Sequence, residues 1–248
     1  MNDIEKNPSF SGDIRLYSHS GLCNRLRLIA EYKHLSDITN KNIEMFWVKA
    51  TQCNCLFENI FKPIPKINFN YLKMSRSKSL RPENTAQKLG LFPHDEKIRQ
   101  KNHLIFNPID SIMDVIDSTK KRIGGDYVAC HIRRTDIGRI QKKYKKQPHA
   151  DEYFDNFIES YPNHKIYLAT DSKRTQERFI KKFGSRLYYS SMPSGEGHSR
   201  LPYRTTPIRA AVADLFLCID SFKFCGTVCS SFSEFIKNYK KGKACQLK

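Results

Sequence analysis

With 248 residues, the chain has room for one large domain or two compact ones, each with its own core. Hydrophobic residues make up 39% of it, which excludes a wholly disordered protein, and the longest unbroken apolar run, Leu215 to Ile219, is far too short to span a bilayer. The 43 Lys and Arg against 25 Asp and Glu leave a formal charge of +18, which suits a polyanionic ligand, be it nucleic acid or a nucleotide sugar.

The first elements fall within residues 13 to 48. Ile14 to Ser18 reads as a strand, Gly21-Leu22-Cys23-Asn24 as a turn, Leu26, Ile29 and Ala30 recur at helical spacing, and Ile43 to Val48 supplies a second strand. A strand–helix–strand unit implies parallel pairing. Gly21 and Asn24 at the helix start would let backbone N–H groups meet a phosphate, although a plain turn explains the same residues. Between about 62 and 108 the chain reads as irregular, with Pro63, Pro65, Pro82, Pro93 and Pro108 and the basic segment Ser75 to Arg81. The handover between domains is predicted here, giving residues 1–105 and 106–248.

Asn107-Pro108 opens a helix on which Ile109, Ile112, Met113 and Ile116 share a face, ending before Gly124-Gly125. Tyr127-Val128-Ala129-Cys130 follows as a buried strand that runs into His131-Ile132-Arg133-Arg134-Thr135-Asp136. Beyond a basic loop, a helix near Asp151 to Ser160 precedes the strand Lys165 to Ala169, which finishes at Thr170-Asp171-Ser172. A helix from Thr175 to Phe183, a strand at Leu187 to Tyr189, a flexible lip from Ser190 to Thr206, a helix at 208–219, a strand at 222–228 and a helix at 231–240 complete the pattern. This alternation in both halves predicts an α/β protein with two Rossmann-like domains and parallel sheets.

Four polar segments stand just beyond predicted strands, where open α/β sheets bind ligands. They are Gly21–Asn24, His131–Asp136, Thr170–Ser172 and Thr227–Ser231. Adjacent Arg133 and Arg134 suit a fork on phosphate oxygens, the plainer alternative being a surface ion-pairing couple. Asp171 suits either a helix cap or a ligand contact, and Ser230 and Ser231 either an N-cap or a phosphate. Asp214 interrupts a helix that is apolar nearly all round, so its carboxylate needs partners. Arg209 offers an ion pair; a guanine edge offers N1–H and N2–H in a bidentate pattern.

The eight cysteines, at 23, 53, 55, 130, 218, 225, 229 and 245, are expected as reduced thiols, since Met1 to Lys6 lacks the layout of a signal peptide and a cytoplasmic location follows. Cys53-Asn54-Cys55 and Cys225 with Cys229 make at most half a zinc site, and without a DxD pair at a strand end a divalent metal has no obvious holder. The lysines at 142, 143, 145 and 146 read as a solvated loop rather than a nucleic-acid stripe, so nucleic acid is not an expected partner.

These residues resemble the fucosyltransferase superfamily of GT-B fold, above all the α1,6-fucosyltransferases of N-glycan cores and the bacterial nodulation-factor enzymes. His131-Ile132-Arg133-Arg134-Thr135-Asp136 is similar to the HxRRxD motif, Tyr167-Leu168-Ala169-Thr170-Asp171 to the second motif, and Ile208-Arg209 to Asp214 with Thr227 to Ser231 to the third region. The resemblance covers roughly residues 124 to 240, with a looser match at 12 to 48. It implies a GT-B-like pair of domains and inverting, metal-independent transfer of fucose from GDP-fucose to a glycan acceptor, with no cofactor. It also implies that Arg133 grips the β-phosphate, that His131 and Asp214 contact guanine, that Ser230 contacts phosphate, and that Gly21 and Asn24 face the diphosphate.

Two positions depart from the family pattern. Ile137 and Gln141 stand where the core enzymes carry a lysine and a glutamate credited as base, and neither side chain accepts a proton near neutral pH. Asp136, His149 and Asp151 are left as candidate bases, Asp136 also being suited to orienting the arginines. The competing readings are a glycosyltransferase using another UDP- or GDP-linked sugar, a basic nucleic-acid-binding protein and a catalytically silent lectin-like module.

Overall fold

Short apolar runs bracketed by turn residues build two separate sheets, both entirely parallel, and the computed structural model describes residues 12–72, 96–135, 149–190 and 206–246. The chain divides into two units, Met1–Ile109 with Asn238–Lys248, and Asp110–Lys237. Residues 238–248, assigned from sequence to the second domain, thus group with the first.

In unit 1, β1 (Ile14–Ser18) leads through α1 (Leu22–Thr39) to β2 (Ile43–Trp47), and the two strands pair in register, Ile14 opposite Ile43. Helix α1 ends at Asn40, whose φ of 54° is the left-handed conformation that asparagine tolerates better than most residues. A third strand, β3 (Ile67–Asn70), adds Ile67 beside Ile43, so the supposedly irregular stretch after residue 62 contributes to the sheet. Its Phe69 stacks on Phe57 at 3.8 Å, and Phe57 meets the fully buried Trp47 edge-on at 5.5 Å. Burial of such rings, at about 1.5–3 kcal/mol each, is what holds so short a strand in place. That stretch also contains α2 (Glu96–Asn102).

Unit 2 opens with α3 (Asp110–Ile123), stopped by Gly124 and Gly125 at φ of 67° and 131°, a turn that only glycine makes without strain. β4 (Tyr127–Ile132) follows, buried at all six positions, as expected of a central strand covered on both faces. The succession is α4 (Asp151–Glu159), β5 (Lys165–Thr170), α5 (Lys173–Phe183), β6 (Leu187–Tyr188), α6 (Ile208–Asp220), β7 (Lys223–Gly226) and α7 (Ser231–Gln246). The order across the sheet is β6-β5-β4-β7. β5 and β6 therefore extend the sheet on one side of β4 and β7 on the other, which makes the gap between β4 and β7 a topological switch point. Parallel α/β sheets open a ligand crevice at the carboxyl ends of the strands flanking such a point.

All eight cysteines are free thiols, with the Cys53 and Cys55 sulfurs 3.8 Å apart. Among the described residues no three His, Cys, Asp or Glu side chains gather as a metal-binding group, and no helix is long and apolar enough to cross a membrane.

Candidate functional site

The carboxyl ends of β4 and β7 are stitched together by one hydroxyl. Thr227 Oγ1 donates to the His131 carbonyl at 3.1 Å and accepts from the Arg133 backbone N–H at 2.9 Å, while Thr227 N–H also reaches the His131 carbonyl at 3.0 Å. The half-buried Arg133 thus leaves β4 along a path fixed by its neighbour across the switch point. His131 is buried, hydrogen-bonded through Nδ1 to Ser233 Oγ at 2.8 Å and stacked on Phe232 at 4.4 Å. Burial first, and the nearby Arg133 second, push its pKa down to about 3, so the ring is neutral and can offer both a donor and an acceptor. Gly226 permits this arrangement: a Cβ there would lie 2.6 Å from Ser233 Oγ.

The loop from β7 to α7 holds Cys229 at a φ of 60°, an uncommon conformation for a side chain without glycine's freedom. Immediately after it, Ser230 is fully buried and its hydroxyl has no hydrogen-bond partner among the described residues. The Ser230 carbonyl accepts the Glu234 N–H at 3.0 Å, yet its Oγ does not cap the helix. A buried hydroxyl left unpaired costs stability, and sites that keep one are often waiting for a ligand. Ser231, half-buried, is the first residue of α7, whose N-terminal end carries unpaired N–H groups and the positive end of the helix dipole.

Asp171 neither caps α5 nor is spared for a ligand alone. Ser172 Oγ caps that helix by accepting Thr175 N–H at 3.2 Å, while Asp171 receives the Arg134 backbone N–H at 2.8 Å and Thr135 Oγ1 at 2.6 Å. Its carboxylate shapes the turn that carries the two arginines. Arg134 then departs from the two-arginine clamp expected from sequence. Its guanidinium donates to the His149 carbonyl at 2.8 Å, pairs with Asp151 and lies over Phe154 at 5.6 Å, so the fork that would grip a phosphate is spent on the start of α4. Asp151 is also paired with Arg178, at 3.4 Å.

Of the three candidate bases, Asp136 lies outside the described residues, as do Ile137, Gln141 and the lysine cluster at 142–146, and Asp151 is committed to arginines. His149 remains: its ring packs on Tyr153 at 3.9 Å, its Nδ1 is buried without a hydrogen-bond partner among the described residues, and burial, Lys237 and Arg134 lower its pKa.

Asp214 is buried in α6, and its partners are not the Arg209 weighed from sequence. Tyr167 Oη donates to Oδ1 at 2.6 Å and Ser190 Oγ to the same oxygen at 2.5 Å. Arg209 instead bonds Ser111. Both lone pairs of Oδ1 are thereby filled, so a two-oxygen grip on guanine does not fit this arrangement; only Oδ2 is left without a donor among the described residues. Desolvation raises the Asp214 pKa to about 6 despite those two bonds.

Gly21 and Asn24 lie in unit 1 at the start of α1, where the Gly21 carbonyl accepts Asn24 N–H at 3.1 Å. Sequence reasoning missed Arg25. It is fully buried, donates from Nε to the Ser20 carbonyl at 2.6 Å and stacks over Trp47 at 4.8 Å, bracing the turn from behind. Its spacing from Leu22 and Ile29 places it on the apolar stripe of α1, a signal the sequence did contain.

A scan against models of protein families finds no match, and neither does a search of curated protein sequences. Solved structures do match in shape. NodZ alpha-1,6-fucosyltransferase soaked with GDP-fucose is 11% identical, with 91% of each chain covered and a TM-score of 0.58. Fucosyltransferase NodZ from Bradyrhizobium is 12% identical, with 90% of this chain and 91% of that one covered and a TM-score of 0.59. A mutant of Arabidopsis thaliana FUT1 in complex with GDP is 10% identical, with 91% of this chain and 68% of that one covered and a TM-score of 0.52. The chain has the fucosyltransferase-like GT-B fold expected from the resemblance.

Proposed function

We propose that the protein is a glycosyltransferase that transfers fucose from GDP-fucose to a glycan acceptor, inverting the anomeric centre and needing no metal. The observation that carries this reading is the convergence at the β4/β7 switch point of Arg133, the neutral His131, the α7 N-terminus and the buried, unpartnered Ser230 hydroxyl. That set is rich in donors for a diphosphate and carries no grouped carboxylates that would repel one. It is supported by the fold shared with structures that hold GDP or GDP-fucose.

In the proposed reaction the acceptor hydroxyl attacks the anomeric carbon in line, the bond from that carbon to the β-phosphate oxygen breaks, and GDP leaves with the electron pair. Arg133 and the amides of α7 neutralise the charge growing on the diphosphate, which lowers the barrier because that charge is largest at the transition state. The hydroxyl proton passes to a base in the stretch 136–151, for which His149, held neutral by its surroundings, is the described candidate.

The test is a thermal-shift screen against GDP, UDP, ADP, CMP and their sugars, followed by transfer assays in EDTA and in manganese. GDP and GDP-fucose at a hundred times their Kd should add about 2.7 kcal/mol of stability, and turnover should be equal with and without metal. UDP binding as tight as GDP overturns the donor assignment; transfer lost in EDTA and restored by manganese overturns the metal-free mechanism.

A further inference from the structure

We infer that Tyr167 and Ser190 are positioning residues for nucleobase recognition, saturating one oxygen of Asp214 so that the other is presented, ionised, to the base. The inference rests on the guanine-nucleotide reading above and goes beyond it by assigning two residues and a pH response. Tyr167 comes from β5 and Ser190 from the segment after β6, so two separate elements converge on Oδ1, at 2.6 and 2.5 Å. Tyr167 is fully buried and Asp214 is 7% exposed, which fixes the geometry by packing rather than by chance contact at a surface. With both lone pairs of Oδ1 occupied, a guanine N–H can be received only at Oδ2. A carboxylate held in one orientation pays no further ordering cost when the base arrives.

The arrangement makes recognition depend on the charge of Asp214. Among the described residues, the two groups bonded to it carry no fixed charge: Tyr167 on β5, with a pKa raised well above 10, and Ser190; Tyr127 on β4, in edge contact with Tyr167 at 6.3 Å, and Cys218 on α6 neighbour Tyr167 and are likewise uncharged. Among the described residues no cation stabilises the carboxylate, and the two hydroxyl donors are what favour its ionised form against burial. Acid converts Asp214 to a carboxylic acid and removes the anionic acceptor. Loss of either hydroxyl moves that conversion to higher pH.

The experiment measures GDP-fucose binding by calorimetry from pH 5 to 8.5, a ligand whose esterified phosphates do not titrate in this range, for the parent protein and for Tyr167→Phe, Ser190→Ala and Asp214→Asn. Affinity of the parent should be level above pH 7 and fall about tenfold by pH 5, as a group of pKa near 6 takes up its proton. Tyr167→Phe and Ser190→Ala should move the midpoint of that fall upward, and Asp214→Asn should bind weakly with no such fall. Because Tyr167→Phe alters the core, the Asp214 pKa is also read by carbon NMR in the ligand-free Ser190→Ala protein, where it should rise. A parent affinity that is flat with pH, or variants that weaken binding without moving the midpoint, overturns the positioning role while leaving the donor reading intact. Absence of GDP-fucose binding by the parent at pH 7.5 overturns both.

Discussion

The guanidinium of Arg134 is enclosed by Asp151, the His149 carbonyl and the face of Phe154, so its removal strands acceptors that are only partly solvated. Arg134→Ala should lower stability by about 1–3 kcal/mol in denaturant unfolding. Arg133, one residue earlier, is placed by its backbone through Thr227, and Arg133→Ala should abolish transfer. Arg133→Lys should retain less than about a tenth of the transfer rate, a barrier rise above about 1.4 kcal/mol, because an ammonium keeps the charge and loses the planar fork. The reverse pattern, a stable but inactive Arg134→Ala and an active Arg133→Lys, would assign the phosphate to the second arginine.

At the scale of elements, β7 and α7 approach closely enough that Gly226 cannot carry a side chain without contact: an added Cβ would lie 2.6 Å from Ser233 Oγ and 2.7 Å from the Phe224 ring. Gly226→Ala should cost about 1–3 kcal/mol of stability and weaken nucleotide binding as well, since Ser233 must turn away from His131. Unchanged melting and unchanged GDP affinity would show that the loop yields freely. Elements marked by continuous apolar runs between glycines or polar ends, such as β4 and β5, were legible in the sequence because parallel strands covered on both faces need just that pattern. β3 was not, for its alternating Ile67-Asn68-Phe69-Asn70 spans only one short stretch after Pro63 and Pro65 and is fixed by the rings of Phe57 and Trp47. The arginine motif and the serine turn could be placed from sequence at strand ends. The roles of Arg134 and Asp171 could not, because their partners come from residues distant in the chain whose approach only the folded sheet decides.

Across the whole molecule, acid should act unequally on the two units. His103 in unit 1 and His131 in unit 2 are buried with pKa values pushed down to about 4 and about 3, so each contributes stability that is complete above the unfolded value near 6.5 and lost as pH falls through the folded one. Asp214, also in unit 2, has its pKa raised to about 6 and works in the opposite sense: its protonation below pH 6 favours the folded state. Between about pH 6 and 4 the His131 and Asp214 effects largely cancel, leaving unit 2 the loss through the less buried His149, whose pKa is also lowered, whereas unit 1 loses about 1.4 kcal/mol per pH unit through the buried His103. Trp47 is the single tryptophan and lies in unit 1, so its fluorescence should report unfolding at a higher pH than far-ultraviolet dichroism of the remainder. Asp214→Asn should bring the two transitions together, and coincident transitions in the parent would refute the unequal response. The ladder between β4 and β7 also carries a consequence for the order of assembly. It pairs Val128 with Lys223 and His131 with Gly226, residues separated by most of the unit, so closing it must wait until the chain has been made through β7 and the long intervening stretch has been drawn in. A nascent chain that ends before Thr227 can hold β4, β5 and β6 side by side and still have only one wall of its crevice. Under the proposed function, nucleotide should engage only a molecule in which β7 has docked, and its presence should slow the unfolding rate while leaving the folding rate alone.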